Sequence, residues 1–310
     1  MNKSLVFALV ASSFFVASAA HSQWFSDNFD GGTSAGNWTA FSHNADVDVN
    51  YAYDYSTYPG GTNQFLIPSA PNSTGGTTVG MRVSVNNSLA ARTAVNLFPT
   101  GFNFSGNYKL QFDMWMNYNG PAGGGTGSTE HAMFGINLGE ALTWNTSAPA
   151  NSVWFSVSGE GGSSATSTSL RDYNSFLGNT LQFGDAGGFA ATGTNREDHS
   201  NAYYQALFPS PAHQTAGAPG KNWVTVEIEQ VGSTTTWSMN DTIIATRAGT
   251  PFTSGNVMIG YMDQFAGIAN PAADNFMVID NVQVVPEPGS MIALAAGLGA
   301  LAARRRRRSA

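Results

Sequence analysis

The sequence predicts an all-β fold, an antiparallel β-sandwich, and three observations support this prediction. Short segments in which apolar and polar residues alternate recur along the chain, as they do in half-buried strands. Turn-forming residues separate these segments, and glycine accounts for 35 of the 310 residues. Between the two ends of the chain, helical periodicity is confined to Ala202–Phe208. Many short strands without intervening helices are typical of an antiparallel sandwich.

The clearest strand pattern lies in Tyr108–Asn117, where Tyr108, Leu110 and Phe112 alternate with polar residues. A second alternating segment begins at Asp46, with valines and tyrosines on one face and acids or Asn on the other. We predict further strands at Met81–Val85, Ala132–Leu138, Val153–Val157, Val224–Glu229, Thr235–Met239, Asn256–Met262 and Phe276–Val284.

The N-terminus has the three parts of an export signal. Lys3 supplies the positive charge, Leu5–Ala17 is apolar, and the small residues from Ala17 to Ala20 offer two overlapping cleavage sites. The apolar run is short and small residues follow it, which argues against an uncleaved anchor. We therefore predict that residues 1–20 are a signal peptide removed by signal peptidase.

The C-terminus also has three parts. Pro286 and Pro288 hold Glu287 in an extended conformation, which we expect to be exposed. Gly289–Ala303 is an apolar run of 15 residues, shorter than the ~20 that span a bilayer comfortably. Arg304–Arg308 would stay cytoplasmic under the positive-inside rule. Residues 286–310 therefore predict a motif, a short transmembrane helix and a basic stop.

This tail, from Val285 to Ala310, resembles the PEP-CTERM sorting signal of Gram-negative bacteria. The resemblance implies Pro286, Glu287 and Pro288 as the sorting motif and an exosortase-type membrane protease as a partner. It also implies display or release at the surface of cells that make exopolysaccharide, with only transient membrane anchoring through the C-terminal helix. The alternative is an ordinary tail anchor that is never cut.

The body between the signals, residues 21–285, is long enough for one large domain or two small ones, and we predict a single sandwich domain. It contains no cysteine, so it relies on core burial rather than disulfides. Without Lys3, the five terminal arginines and Glu287, it keeps seven basic and 19 acidic residues, a net charge near −12. Nucleic acid is excluded as an expected partner, because binding it requires basic patches.

The last quarter of the body, Asn222–Val285, resembles the end of a concanavalin A-like (laminin-G-like) jelly roll. In that family the closing strand pairs with the first strand, and a segment such as Asp27–Asp30 begins the domain. Such sandwiches include lectins, glycosidases and modules without a ligand. Residues 184–221 form a long inserted connection, and connections of that length are usually functional or disordered.

Tyrosine clusters beside acids suggest a surface that binds sugars. Tyr51, Tyr53 and Tyr55 alternate with polar residues in the predicted strand, and Tyr203 and Tyr204 lie in the long connection. Aromatic rings can stack on the apolar faces of sugars, and neighbouring carboxylates can accept hydroxyl hydrogens. The alternative is that these positions form an ordinary solvated face.

Asp280 suggests a structural calcium ion. Strict alternation places it on the same side as Val278 and Val282, where a lone carboxylate costs several kcal/mol. Asp27 and Asp30 lie on the proposed partner strand, and a calcium ion could hold all three carboxylates. The alternative is a bulge that turns Asp280 outward or backbone donors that satisfy it.

Evidence for catalysis is weak. Concanavalin-like glycosidases carry a Glu-x-Asp-x-x-Glu strand, and Glu227-Ile-Glu229 matches only its beginning. We expect an exported surface or matrix protein that is non-catalytic and binds polysaccharide. Two alternatives remain: a secreted glycosidase or lyase that acts on polysaccharides, and a purely structural surface protein without a ligand.

Overall fold

The computed structural model describes residues 24–60, 66–119, 129–144, 148, 152–162, 170–178, 180–181, 196–250, 252–265 and 267–287. These residues form one short α-helix, α1 (Ala202–Leu207), four 3-10 helices of a single turn and seventeen strands. The strands are β1 (Phe25–Asp27), β2 (Trp38–Ser42), β3 (Val47–Asp54), β4 (Val79–Val85), β5 (Thr93–Pro99), β6 (Phe104–Ser105), β7 (Tyr108–Asn117), β8 (Glu130–Leu138), β9 (Val153–Ser158), β10 (Tyr173–Leu177), β11 (Thr180–Leu181), β12 (Arg196–Glu197), β13 (Trp223–Val231), β14 (Thr234–Met239), β15 (Thr242–Arg247), β16 (Ser254–Asp263) and β17 (Phe276–Pro286).

The strands form two sheets whose pairings are all antiparallel. The first sheet has the order β15-β14-β13-β7-β17-β4-β3, and β1 also pairs with β17. The second has the order β11-β10-β9-β8-β16-β5-β2, with β12 on β10 and β6 on β16. The predicted antiparallel sandwich is confirmed, as is the pairing of the closing strand with the first strand.

The core lies between the two sheets and is rich in aromatic residues. Phe112 of the first sheet meets Phe134 of the second, with ring centroids 5.9 Å apart. Trp237 packs against both Phe134 and Phe155. All of these side chains are buried. Each buried ring of this kind contributes about 1.5–3 kcal/mol relative to an exposed one, which suits a body that has no disulfides.

The outer face of the first sheet is partly covered by the chain between β3 and β4. Tyr55, Tyr58 and Ile67 from that connection pack on Trp115, Trp223 and Phe276. The sheet thus buries apolar side chains on both faces over part of its area. This second layer has a direct consequence for Asp280, which lies beneath the same connection.

A bulge in β17 separates Asp280, which lies on the outer face with Val278, from the core valines that follow it. The register with β7 shifts between Asp280 and Gln283, and Asn281 has a φ of 55°. Before the bulge, Met277 and Ile279 point into the core, and after it Val282 and Val284 do so. Strict alternation is therefore broken, and the prediction that Asp280 shares the side of Val282 is wrong. The alternative of a bulge is confirmed.

The long connection 184–221 contributes regular structure where it is described. The predicted helix is confirmed as α1, which starts after Asn201, whose side chain accepts a hydrogen bond from the Tyr203 N–H. The strand β12 extends β10 at the edge of the second sheet. The predicted signal peptide and the apolar and arginine-rich parts of the tail lie outside the described residues. Within the described residues, no helix is long and apolar enough to span a membrane.

Candidate functional site

The candidate site lies where the first strand meets the last, along residues 24–37. Asp27 organises this region, because its carboxylate accepts hydrogen bonds from four donors. Three of them are the Phe29 N–H at 2.9 Å, the Ser34 hydroxyl at 2.7 Å and the Trp38 indole N–H at 3.0 Å. The Asn37 amide supplies the fourth at 3.0 Å. The loop after β1 is therefore tied to a buried carboxylate and held in one conformation.

Three adjoining clefts follow this loop. The central cleft has a volume of about 670 Å³ and shares Ser34 with a second cleft of about 400 Å³. It shares Ser26 and Asn37 with a third of about 330 Å³. The central cleft is lined almost entirely by amide and hydroxyl side chains and by backbone: Ser26, Asp27, Asn28, Gly31, Thr33, Ser34, Asn37, Asn72, Thr74, Asn281, Val282 and Gln283.

Asn72 and Asn281 are fixed in the wall of the central cleft by Asp113. The Asn72 amide donates to one oxygen of the Asp113 carboxylate at 2.7 Å, and the Asn281 amide donates to the other at 2.9 Å. Asp113 also accepts the Asn72 N–H and the Thr225 hydroxyl, so it is fully paired. Two polar residues of the cleft wall are thereby preorganised by a buried acid.

Asp280 belongs to the same network. It accepts hydrogen bonds from the Tyr55 hydroxyl, the Ser73 hydroxyl and the Asn281 N–H, at 3.0, 3.0 and 2.7 Å. Burial raises its pKa to about 6 despite these donors. The neighbouring Asp113 adds a smaller effect in the same direction. Asp280 therefore anchors the connection that covers the outer face of the first sheet.

An aromatic shelf borders the third cleft. Trp24 and Phe102 are 37% and 36% exposed, and both stack on the buried Phe104 with interplanar angles of 16° and 13°. The backbone N–H of Trp24 donates to the Val284 carbonyl, which fixes the shelf to the closing strand. The two rings are therefore held in place by packing on Phe104 and remain partly exposed to solvent.

The second cleft contains Tyr51, one of the tyrosines predicted to bind sugar. Tyr51 is half-buried, and Asp48 and Asn50 lie beside it in the wall. The exposed carboxylate of Asp48 accepts a hydrogen bond from Arg82 at 3.0 Å. Burial raises the pKa of Tyr51, so its hydroxyl stays protonated at neutral pH. A role for Tyr51 in binding sugar stays a prediction.

The other four tyrosines lie apart from the clefts. Tyr55 and Tyr204 are fully buried, Tyr55 beneath the outer layer and Tyr204 stacked on Tyr173 at 4.1 Å. These two predictions are corrected, because a ring enclosed on all sides cannot stack on a sugar. Tyr53 and Tyr203 are half-buried, and the Tyr203 hydroxyl donates to the Ile243 carbonyl.

The structure does not bring together the three acids proposed for calcium. The Asp27 carboxylate already accepts hydrogen bonds from its own loop, and Asp280 accepts hydrogen bonds on the outer face of the first sheet. Asp30 is exposed, and its carboxylate accepts a hydrogen bond from the Asn28 amide. Among the described residues, one group of three acids or histidines lies close enough to share an ion: Asp172, Asp198 and His199. The His199 ring bonds to Asp172 at 2.8 Å, and that bond raises the His199 pKa. Calcium binding by the protein stays a prediction.

The sorting motif begins inside the first sheet. Pro286 pairs with Tyr108, and the Glu287 N–H donates to the Asn107 carbonyl at 3.2 Å. Glu287 is 8% exposed, so the prediction of an exposed glutamate is wrong. Burial and a hydrogen bond with Glu229 raise the Glu287 pKa to about 7.

Another buried acid, Asp263, lies at the end of β16. Asp263 is 2% exposed and accepts hydrogen bonds from the Asn86 amide and from the Phe265 N–H. Burial raises its pKa to about 7 even with these donors. Glu130 is fully buried nearby and accepts a hydrogen bond from the Asn275 amide. Burial raises the pKa of Glu130, and the charge on Asp263 raises the Glu130 pKa further. Burial at this end of the sandwich therefore favours the protonated forms of Asp263 and Glu130.

Sequence reasoning missed the aromatic shelf and the central cleft. Trp24 lies one residue before β1, and the pairing of β1 with β17 was predicted. The position of Trp24 beside the closing strand could therefore have been inferred. Phe102 and Phe104 stand two residues apart, the spacing of neighbours on one side of an extended chain. The amide-rich wall brings together residues 26–37, 72–74 and 281–283, and no local pattern predicts that.

Comparisons with solved structures return sandwich domains of low sequence identity. A Bacillus subtilis protein of unknown function with a galectin-like fold is 10% identical, with a TM-score of 0.48 over 85% of this chain and 96% of that one. The cellulose induced protein Cip1 is 11% identical, with a TM-score of 0.42 over 84% and 96%. The carbohydrate-binding module CBM66 from Bacillus subtilis is 10% identical, with a TM-score of 0.36 over 66% and 86%. No curated protein matches the chain.

The family of the PEP-CTERM protein-sorting motif matches residues 284–308. The match covers the end of β17 and the tail beyond it, and it confirms the resemblance inferred from the sequence. The motif implies export and association with the cell surface. The chain is therefore a β-sandwich protein that carries a PEP-CTERM protein-sorting motif.

Proposed function

We propose that the protein is an exported, non-catalytic carbohydrate-binding protein of the cell surface or its matrix. The observation that carries this proposal is the central cleft, an open surface of fixed amide and hydroxyl groups, together with the adjoining third cleft, which is lined by two exposed aromatic rings. Such a surface matches the chemistry of a sugar. The hydroxyl groups of a sugar form hydrogen bonds with donors and acceptors, and its C–H faces pack on apolar surfaces such as aromatic rings.

The chemistry of the cleft supports binding rather than catalysis. Of its described lining residues, Asp27 alone is titratable, and four protein donors already occupy its carboxylate. Glycoside hydrolysis usually needs two carboxyl groups about 5–10 Å apart across the scissile bond. Glu227, from the partial catalytic pattern, is on the outer face of the first sheet and is paired with Lys109 at 2.5 Å.

A glycan array and titration with purified protein test the proposal. Trp24→Ala and Phe102→Ala remove the exposed rings, and each should weaken binding about tenfold if a stacked ring contributes ~1–2 kcal/mol. Asn72→Ala should weaken binding by a similar factor through the loss of a preorganised amide. Phe265→Ala is the matched control, since Phe265 is 44% exposed and lines none of the three clefts.

Three outcomes separate the functions. Retention on glycans that is sensitive to Trp24 and Phe102 supports the proposal. Release of reducing ends from a polysaccharide favours the enzyme alternative. If the wild-type protein binds no glycan and releases no reducing ends, the purely structural alternative remains.

We also propose that an exosortase-type membrane protease processes the tail. The support is the PEP-CTERM match together with a short apolar run and the arginine block. Intact mass of protein extracted from the cell surface should show a species without Arg304–Arg308. A mature species that still contains this block would contradict the proposal.

A further inference from the structure

We propose that the first residues of the sorting motif are a structural part of the domain, so that processing occurs after Glu287 and the mature protein retains Val285–Glu287. We call these three residues the closing segment. The inference rests on the proposed processing by a membrane protease, and it concerns the position of the cut. Hydrolysis there adds one water, leaving a carboxylate on the retained domain and an amino group on the released tail.

The backbone of the closing segment is paired with the first sheet. Val285 lies opposite Lys109 and Pro286 opposite Tyr108. The Glu287 N–H extends the ladder by donating to the carbonyl of Asn107. The Asn107 side chain is itself fixed, because its oxygen accepts the Gly232 N–H at 2.9 Å. A cut before Pro286 would remove the contacts of Pro286 and Glu287.

Two of the three residues of the closing segment are buried as well, and Val285 is half-buried. Pro286 and Glu287 are buried, and the neighbouring Tyr108 is fully enclosed, with its hydroxyl bonded to Asn137 at 2.9 Å. Removing Pro286 and Glu287 would uncover this edge. A peptide bond within a paired strand also cannot enter a protease cleft until the strand detaches. The first bond beyond the described ladder is the one after Glu287.

The carboxyl groups around Glu287 make its docking sensitive to a single change. Its side chain forms a hydrogen bond with Glu229, and Glu227 and Lys109 are the other charged groups close enough to affect it. One oxygen of Glu287 is buried without a hydrogen-bond partner among the described residues. Replacing Glu229 by Gln removes an acid and adds a donor beside this carboxyl group, so the closing segment should dock more firmly.

The test uses full-length protein processed in a host that contains the membrane protease. Mass spectrometry of the mature protein should find a C-terminus at Glu287 or beyond it, with Arg304–Arg308 absent. Hydrogen exchange should show that the Glu287 amide is protected, at least tenfold slower than in the denatured chain. Glu229→Gln should slow this exchange further, and Asp48→Asn, an acid change on the exposed edge strand β3, should leave it unchanged.

The possible failures are distinguishable. A mature C-terminus at or before Pro286, or free exchange of the Glu287 amide, overturns this inference and leaves processing itself intact. A chain that keeps Arg304–Arg308 in the presence of the protease overturns the proposed processing, and the inference with it. Protection that Glu229→Gln does not increase overturns the role given to the pair of carboxyl groups.

Discussion

Replacing Asp263 by Asn should change how the stability of the protein depends on pH. Asp263 is 2% exposed, and burial raises its pKa to about 7 from an ordinary value of 3.8. The folded state therefore binds the proton more tightly than the unfolded state does. The resulting stabilisation is fully present below about pH 4 and is lost as the pH rises through 7.

The magnitude follows from the pKa difference. One pKa unit corresponds to 1.36 kcal/mol, so the change from 3.8 to about 7 gives an upper limit of ~4 kcal/mol. Asn keeps the size of the side chain and carries no proton, so the variant lacks this pH dependence. Relative to wild type, the variant should gain up to ~4 kcal/mol between pH 4 and pH 8, which corresponds to roughly 8–16 °C in melting temperature for a body of this size.

The assay is thermal unfolding of both proteins at intervals from pH 4 to pH 8. The quantity of interest is the difference in melting temperature between variant and wild type, because Asp280 and Glu287 have raised pKa values of the same sign and contribute equally to both proteins. Asp48→Asn is the control, since the Asp48 side chain is 59% exposed. A difference for Asp263→Asn that stays constant across this pH range would refute the reasoning.

Three further predictions concern stability. Gly217→Ala should destabilise the protein by more than ~2 kcal/mol in denaturant unfolding, since φ is +84° there and a Cβ would overlap the His199 carbonyl oxygen. Tyr204→Phe should be neutral or stabilising by up to ~1 kcal/mol, because its buried hydroxyl finds no partner among the described residues. Asp280→Ala should cost about 1–3 kcal/mol by removing the buried acceptor of the Tyr55 hydroxyl, the Ser73 hydroxyl and the Asn281 N–H. The same cost with calcium and with a chelator is expected from hydrogen bonding alone, whereas a chelator effect that the variant abolishes would support a calcium ion.

The sheets could be predicted from the sequence because alternation is a local property. Tyr108–Asn117 was predicted residue for residue as β7, and each predicted strand lies within a strand of the structure or overlaps one. The fate of Asp280 could not be predicted in this way. One extra residue in a bulge exchanges the two faces of a strand, and the Asp-Asn pair at 280–281 is only a weak sign of the left-handed backbone that Asn281 adopts.

The candidate site was harder to predict than the sheets. Tyr55 and Tyr204 were interpreted as sugar-binding surface rings because they lie in tyrosine clusters beside acids. Their burial depends on layers that pack over the sheets from distant parts of the chain, such as the connection between β3 and β4. The central cleft has the same origin, since its wall joins three separate segments. Periodicity reports which face of a strand a residue occupies and does not report what covers that face.

Glu287 shows that an extended backbone conformation does not by itself make a residue exposed. The two prolines correctly indicated an extended backbone, and the sorting motif was expected to be accessible for that reason. An extended chain is, however, what a sheet edge binds as readily as a protease cleft does, because both supply hydrogen-bond partners to the same backbone groups. Asn107 supplies such a partner here. The domain and the proposed protease would therefore bind the same residues in the same conformation, and the stability of the closing segment would decide which of them holds the motif.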